Sequence, residues 1–151
     1  MKFTTRKLNY FLVLKLPSAF LMGVRTKYID NSKCIVVVKH RWINQNPFKS
    51  LFWAVQGMAA ELSTGAIIIN KIKESEKNIA MLLIKNEASY SKKATGRVSF
   101  ECHEGDLIDA VIEEAIKTGK GQIVTLNVIG RNSNDEEVSE FKFTWSMKVR
   151  T

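Results

Sequence analysis

The sequence predicts an α+β domain in which an antiparallel sheet wraps around one buried helix. Residues 50–69 are apolar on nearly every side, which is typical of a buried helix. Apolar runs with strand character precede and follow this segment, and residues 138–149 alternate regularly between apolar and polar side chains. The 151 residues have the usual size of one domain, so we expect a single domain over 1–151.

The N-terminal part predicts a helical segment followed by two strands. Residues 7–16 are apolar with helical spacing and stop at Pro17. Residues 18–24 are expected to add another turn. Residues 28–30 and 33–40 then indicate strands, because the second run is β-branched and apolar.

The first residues also have the outline of a signal peptide. Lys2, Arg6 and Lys7 precede an apolar stretch, but Lys15 interrupts it and no clean small-residue cleavage site follows. No apolar run reaches the roughly 18 residues of a transmembrane helix. We therefore expect a cytoplasmic protein whose N-terminal helix lies on the domain.

The start of the central helix is marked by Asn46 and Pro47. Proline suits a first helical position, and either Asn46 or Ser50 can cap the helix. A helix of about 20 residues is about 30 Å long, enough to cross a small domain. Its polar side chains are Ser50, Gln56, Glu61, Ser63 and Thr64.

One row of this helix carries small residues around a single carboxylate. Ala54, Gly57, Glu61 and Gly65 follow helical spacing, so another element must approach this face closely. Beyond the helix we predict a charged loop at 71–78. The later elements are strands at 79–84, 88–92, 97–103, 122–129 and 138–149, and a second helix from Asp106 to Gly119, with the last two strands paired as a hairpin.

Charge and cysteine content narrow the possible functions. The net charge of +8 favours a polyanion such as nucleic acid, a membrane surface or the phosphates of coenzyme A, although solubility alone explains it equally well. The basic residues are spread along the chain, which disfavours nucleic acid. Cys34 and Cys102 fall in strand-like runs and are expected to be reduced core thiols. With only His40 and His103, we expect no zinc site and no cofactor.

The stretch from Asn46 to Glu61 resembles the loop and central helix of hotdog thioesterases. Phenylacetate-type acyl-CoA thioesterases carry an asparagine, then His-Gly-Gly six positions later, then an acidic residue nine positions after the histidine. Asn46 and Glu61 match the outer residues at both spacings, while Phe52-Trp53-Ala54 stands where His-Gly-Gly is found. Bulkier residues there narrow a site that glycine leaves open to the thioester.

The resemblance extends over most of the chain. Residues 9–23 look like the N-terminal helices, and residues 92–98 like a strand–turn–strand segment, of a bacterial hotdog family of unknown function. It implies a hotdog fold, an acyl-CoA or acyl-carrier thioesterase, and a homodimer or dimer of dimers joined through sheet edges.

The chemistry that the resemblance implies centres on Glu61 as base or nucleophile. A carboxylate in an apolar helix tends towards a raised pKa, which suits a general base. Alternatively, Glu61 faces a solvent channel or pairs with a cation across a dimer interface. Asn46 would orient water or the carbonyl, or else only cap the helix. Backbone N–H groups around Trp53 and Ala54 would stabilise the oxyanion.

Two further groups of residues are candidates for substrate binding. Phe52, Trp53 and Met58 would line an acyl pocket, although core packing explains them equally well. The candidates for binding the carrier phosphates, which a solvated turn explains as well, are Lys92, Lys93 and Arg97.

Two other functions compete with hydrolysis. A non-catalytic acyl-thioester binder or sensor is favoured by the missing His-Gly-Gly, and a nucleic-acid-associated protein only by the charge. A hydratase is disfavoured, because it needs a histidine paired with the carboxylate and the central helix has none.

Overall fold

A computed structural model describes residues 2–151. It contains four helices, a short 3-10 turn at Trp42–Asn44 and six strands. The helices are α1 (Thr5–Lys15), α2 (Pro17–Leu21), α3 (Trp53–Ser75) and α4 (Gly105–Thr118). The strands are β1 (Arg25–Ile29), β2 (Cys34–Lys39), β3 (Ile79–Tyr90), β4 (Arg97–Cys102), β5 (Gln122–Arg131) and β6 (Glu137–Val149).

The six strands form one antiparallel sheet in the order β1-β2-β4-β5-β6-β3. The helix α3 contacts five of them and is buried along most of its length. Helices and strands share one hydrophobic core. The predicted α+β architecture, a sheet wrapped around a long central helix, is therefore confirmed.

The row of small residues on α3 packs against β6. A Cβ added to Gly57 would lie 3.9 Å from the Phe141 ring, and one added to Gly65 would lie 3.5 Å from Trp145. The indole Nε1–H of Trp145 also donates to Thr64 Oγ1 at 3.0 Å. Close approach of a neighbouring element to this face, predicted from the row, is confirmed.

The predicted start of the central helix at residue 50 is wrong, since α3 begins at Trp53. Lys49 has a left-handed backbone, with φ of 60°, which a right-handed helix cannot include. Phe52 occupies the cap position and makes no side-chain capping bond. Neither Asn46 nor Ser50 is the helix cap, because both side chains bond within the loop before α3.

The predicted loop at 71–78 is also wrong over most of its length, because α3 continues to Ser75. Tertiary contacts hold this end: the buried Lys71 side chain pairs with Asp109 of α4 at 2.6 Å. The side chain of Asn70 accepts the backbone N–H of Phe3 at 2.7 Å. The sequence pattern of this segment shows its charged residues but not these contacts, and it therefore predicted a loop.

The strands predicted at 79–84 and 88–92 are one strand, β3. Its ladder with β6 continues through the polar residues between them, with one irregularity between Leu83 and Lys85. Pairing, rather than side-chain pattern, therefore defines this strand.

Other predictions are confirmed. The strand β4 buries Val98, Phe100 and Cys102, and β5 pairs with β6. Helix α4 ends at Gly119, whose φ is 67°, although Glu104 rather than Asp106 holds its cap position. No helix within residues 2–151 is long and apolar enough to span a membrane.

The two cysteines are buried free thiols on neighbouring strands. Cys34 and Cys102 face each other across β2 and β4. Burial raises the pKa of both thiols, to about 11 for Cys102. Protonated thiols are poor nucleophiles, so both cysteines act as core residues, as the sequence predicts.

Candidate active site

Two clefts meet at the N-terminal end of α3. The Glu61 cleft, of about 310 Å³, lies between α3, β3 and β6. The loop cleft, of about 440 Å³, lies between the loop before α3 and the segment after β3. Trp53 and Tyr90 line both clefts, so the two clefts adjoin.

The loop before α3 is built around the Asn46 side chain. Its Nδ2 donates to Ser50 Oγ at 2.9 Å and to Leu51 O at 3.3 Å. Its Oδ1 accepts the backbone N–H groups of Phe48 at 2.9 Å and Ser50 at 3.2 Å. This amide is engaged at both ends, so Asn46 shapes the loop that borders the clefts and has little capacity left for a ligand.

The first turn of α3 offers unpaired donors. The backbone N–H groups of Trp53 and Ala54 have no acceptor among residues 2–151. A helix N-terminus concentrates such donors with the positive end of the helix dipole. These donors adjoin both clefts, because Trp53 lines each of them and Ala54 lines the Glu61 cleft.

Glu61 projects from the third turn of α3 into its own cleft. Burial raises the pKa of its carboxyl group. The ion pairs formed by the described residues do not include Glu61, so no cation there compensates the desolvation of its charge. Glycines at positions 57 and 65 flank it on the same face. The carboxylate thus stands in a largely apolar recess, which suits a proton acceptor.

The polar side chains of the central segment divide into two groups. Ser50 bonds to Asn46, and the hydroxyls of Ser63 and Thr64 donate to helix carbonyls at 2.7 and 2.8 Å. These three are satisfied inside the fold. Gln56 and Glu61 are not, and each lines a cleft.

Gln56 is only 4% exposed, and its carboxamide oxygen has no hydrogen-bond partner within residues 2–151. A buried acceptor without a donor is destabilising by about 1–3 kcal/mol. Gln56 lines the loop cleft, but its unpaired oxygen lies beneath the cleft surface. The sequence contained the signal, a polar residue in an apolar helix, but did not separate Gln56 from the satisfied serine and threonine.

Replacing Gln56 by leucine is expected to stabilise the free protein by about 1 kcal/mol, because the unpaired acceptor is removed at similar volume. That corresponds to roughly 2–4 °C in melting temperature for a chain of this size. Thermal denaturation of wild type, Gln56→Leu and the shape-conserving Gln56→Glu checks it. A clear loss of stability in Gln56→Leu would instead assign Gln56 a structural role.

The apolar candidates lie where a substrate could meet them. Trp53 is 62% exposed and forms a tilted pair with Phe52, with ring centroids 5.7 Å apart. Phe52 lines the loop cleft, whereas Ala54 and Met58 line the Glu61 cleft. An indole this exposed contributes little to the core.

The basic candidates are only partly brought together. Lys92 and Lys93 line the loop cleft, whereas Arg97 lines neither cleft. Lys92 pairs with Glu136 at 2.6 Å, and Lys93 donates to the carbonyl of Phe48 at 3.1 Å. Both contacts are exposed, and an exposed ion pair or hydrogen bond of this kind contributes little stability, so either lysine can turn to a bound anion.

Six residues that line the Glu61 cleft come from strands, and the sequence did not identify them as cleft residues. Four belong to β3 and two to β6: Leu83, Asn86, Ala88 and Tyr90, and Phe141 and Phe143. The ring of Tyr90 packs edge-on against the ring of Phe141, with the ring centroids 5.8 Å apart. Phe141 and Phe143 were predicted only as buried strand residues, and no local pattern marks them as cleft residues.

The six-stranded sheet, the central helix and the cleft beside its N-terminus define a hotdog-fold protein. The chain belongs to the family described as "Domain of unknown function (DUF4442)", which matches residues 4–147. A search of curated proteins found no match.

Solved structures share this fold at low sequence identity. A Pseudomonas aeruginosa protein of unknown function, described as a probable thioesterase, matches with a TM-score of 0.85 and 16% identity over 99% of both chains. A thioesterase from Haemophilus influenzae matches with a TM-score of 0.75 and 15% identity, over 99% of this chain and 93% of its own. A mutant thioesterase from Pseudomonas aeruginosa matches with a TM-score of 0.76 and 13% identity, over 99% of this chain and 97% of its own.

Proposed function

We propose that this protein hydrolyses acyl thioesters of coenzyme A or of an acyl carrier. The observation that carries the proposal is Glu61, a carboxylate without an ionic partner in an apolar cleft, with a raised pKa. Unpaired N–H donors at the start of α3 adjoin the same cleft. The fold shared with thioesterases agrees with this chemistry. Turnover of acyl-CoA esters of short, medium, long and aromatic acyl groups tests it.

The proposed reaction uses water and the carboxylate. Glu61 accepts a proton from water while the water oxygen attacks the thioester carbonyl carbon. The N–H groups of Trp53 and Ala54 stabilise the negative charge that develops on the carbonyl oxygen. The carbon–sulfur bond then breaks, and the proton passes to the departing thiolate. In a covalent route that uses the same groups, the Glu61 oxygen attacks the carbonyl carbon and the carbon–sulfur bond breaks, which gives a mixed anhydride and a thiolate. Water then hydrolyses the anhydride, which restores the Glu61 carboxylate, and the proton released passes to the thiolate.

The loop cleft is the proposed place for the carrier arm. Its lining includes Lys92 and Lys93 and the exposed rings of Phe52 and Trp53. Basic side chains suit phosphate, and apolar walls suit the arm that joins phosphate to thioester. Gln56, whose buried carboxamide oxygen has no partner within residues 2–151, also lines this cleft.

Reversing the charges of Lys92, Lys93 and Arg97 together is expected to weaken binding of coenzyme A esters by roughly tenfold or more, because each charge-assisted bond contributes about 1.5–3 kcal/mol. Titration calorimetry at low and high salt measures it. The single variants separate the two lysines of the loop cleft from Arg97. Unchanged affinity in the triple variant would make this patch a solvated face.

We also propose a homodimer, or a dimer of dimers, joined through β3. This strand is an edge of the sheet, and it carries the exposed apolar side chains of Leu82 and Ile84. A long uncovered edge is an interaction surface. A partner there would lie beside the Glu61 cleft, which β3 itself lines.

Light scattering at micromolar concentration is expected to give the mass of a dimer or tetramer. The double variant Leu82→Lys and Ile84→Lys should shift it towards monomer, because two buried charges per copy oppose the contact. Ile123→Lys, on the inner strand β5, is the matched control. A wild type that is monomeric would contradict the proposed assembly.

A non-catalytic acyl-thioester binder is the second candidate. It is favoured by the bulky pair Phe52 and Trp53 at the start of α3, and by the Asn46 amide being fully engaged in its own loop. Tight ester binding without turnover by the wild type would favour it. A cytoplasmic location stays a prediction.

A further inference from the structure

Helix α1 is apolar on two opposite sides. Leu8 and Leu12 are fully buried, whereas Tyr10 is 66% and Leu14 60% exposed. A surface helix normally presents polar residues to water. The following residues continue the exposed apolar face, since Leu16 and Leu21 are also exposed. These exposed apolar side chains thus remain largely uncovered by residues 2–151.

A groove of about 260 Å³ accompanies this apolar face. The rings of Phe3 and Phe11 pack edge to face at 5.5 Å beside it. Tyr10 and Leu14 complete its apolar wall. The basic residues around it are Lys2, Lys7, Lys15 and Lys73.

The charges around this face are unusually one-sided. Residues 2–29 contain six basic residues and no acidic residue, the first being Asp30. The ion pairs of the described part of the chain include Lys2 with Glu74, but not Arg6, Lys7 or Lys15. Lys73 lies over the Phe3 ring at 3.8 Å. Uncompensated cations thus surround exposed leucine and aromatic side chains.

We propose that α1 and α2 form a docking surface for anionic lipid bilayers. The exposed apolar side chains would enter the boundary between headgroups and acyl chains, while the lysines contact lipid phosphates. This surface goes beyond the proposed hydrolysis and does not depend on it. The protein would bind at the interface without spanning the bilayer.

Charge complementarity and the exposed apolar side chains favour the bilayer over a second copy of this chain and over nucleic acid. A second copy of this surface would bring the basic clusters of both copies together, which is repulsive. Nucleic acid would use the cations but would leave Leu14 and Leu21 in water. Only a partner that is both anionic and apolar matches both features.

Co-sedimentation with vesicles tests the proposal. The wild type is expected to bind vesicles of phosphatidylcholine with about a third phosphatidylglycerol, and to bind pure phosphatidylcholine at least about tenfold less tightly, since each basic residue near an anionic surface contributes about fivefold. Lys7→Gln with Lys15→Gln should lower binding by roughly tenfold or more. Tyr10→Gln with Leu14→Gln should lower it similarly, through lost insertion.

Matched control variants distinguish binding through this face from a general effect of charge or hydrophobicity on binding. Leu107→Gln with Ile123→Gln, and Lys117→Gln with Lys120→Gln, remove equally exposed residues elsewhere and should leave binding unchanged. All four positions of the test variants are exposed, so circular dichroism should show an intact fold.

Three outcomes would overturn the proposal. The first is absence of wild-type binding to anionic vesicles. The second is equal loss of binding in test and control variants, which means non-specific attraction. The third is a change of oligomeric mass in Tyr10→Gln with Leu14→Gln without loss of vesicle binding, which assigns the face to a second copy of this chain.

Discussion

Glu61→Gln is expected to lower the rate of thioester hydrolysis about 100- to 10,000-fold, the usual effect of removing a positioned base. Glutamine keeps the size and hydrogen-bonding capacity of the side chain but cannot accept the proton. The measurement is kcat for wild type and variant on the acyl-CoA ester that the wild type turns over fastest. Binding of the ester should change little, because no ground-state charge pair is removed.

The pH profile gives an independent check on the same residue. Burial raises the pKa of Glu61 above its ordinary value, and only the ionised form accepts a proton. The rate should therefore rise with pH through this raised pKa, at higher pH than an exposed glutamate would give. This rise of the rate with pH should be absent from any residual activity of Glu61→Gln. Equal turnover by both proteins would remove Glu61 from the mechanism.

Measuring the stability of Glu61→Gln tests whether misfolding causes a loss of activity. A carboxyl group whose pKa is raised in the folded state contributes stability below its unfolded pKa and loses it as pH rises through the folded pKa. Glu61→Gln removes this dependence, so at neutral pH the variant should be at least as stable as wild type. If Glu61→Gln is less stable than wild type at neutral pH, Glu61 makes a structural contact instead.

Gly105→Ala is expected to lower the free energy of unfolding by about 3 kcal/mol, at the upper end of overpacking effects. A Cβ at Gly105 would lie 2.1 Å from the carbonyl oxygen of Asn31 and 2.7 Å from the Cα of Ser32. Both atoms are backbone, so the turn between β1 and β2 must move away from α4. The Gly105 N–H also donates to Ser32 O at 3.0 Å, and this bond would be lost.

Thermal denaturation measures this effect, which corresponds to roughly 6–12 °C in melting temperature. Gly121→Ala is the matched control, because a Cβ there meets nothing within 4 Å and its φ is not in the left-handed region. A melting temperature for Gly105→Ala equal to that of Gly121→Ala would show that the turn moves freely.

The spacing of apolar side chains predicted helices and strands correctly where the pattern of burial follows the period of the secondary structure. The apolar helix α3, the alternating strand β6 and the small-residue row facing Phe141 and Trp145 all followed from side-chain spacing. Such patterns are local, because a buried face imposes the same period on the chain whatever covers it. The position of Glu61 within an otherwise apolar helix also needed only the sequence.

Boundaries and partners were decided by contacts between distant residues. The helix α3 extends past residue 69 because Lys71 meets Asp109 and Asn70 meets the N-terminal segment. It begins only at Trp53 because the Asn46 side chain forms hydrogen bonds within the preceding loop, which holds that segment out of the helix.

The composition of the site was decided in the same way. Gln56, Ser63 and Thr64 look equivalent in sequence, yet of these three only Gln56 is left with a buried oxygen that has no hydrogen-bond partner. Tyr90 reaches the Glu61 cleft through the pairing of β3 with β6. By itself the sequence determined which segments are buried and where the carboxylate lies, whereas the tertiary structure decided which polar groups stay unsatisfied, because satisfaction depends on neighbours that are remote along the chain.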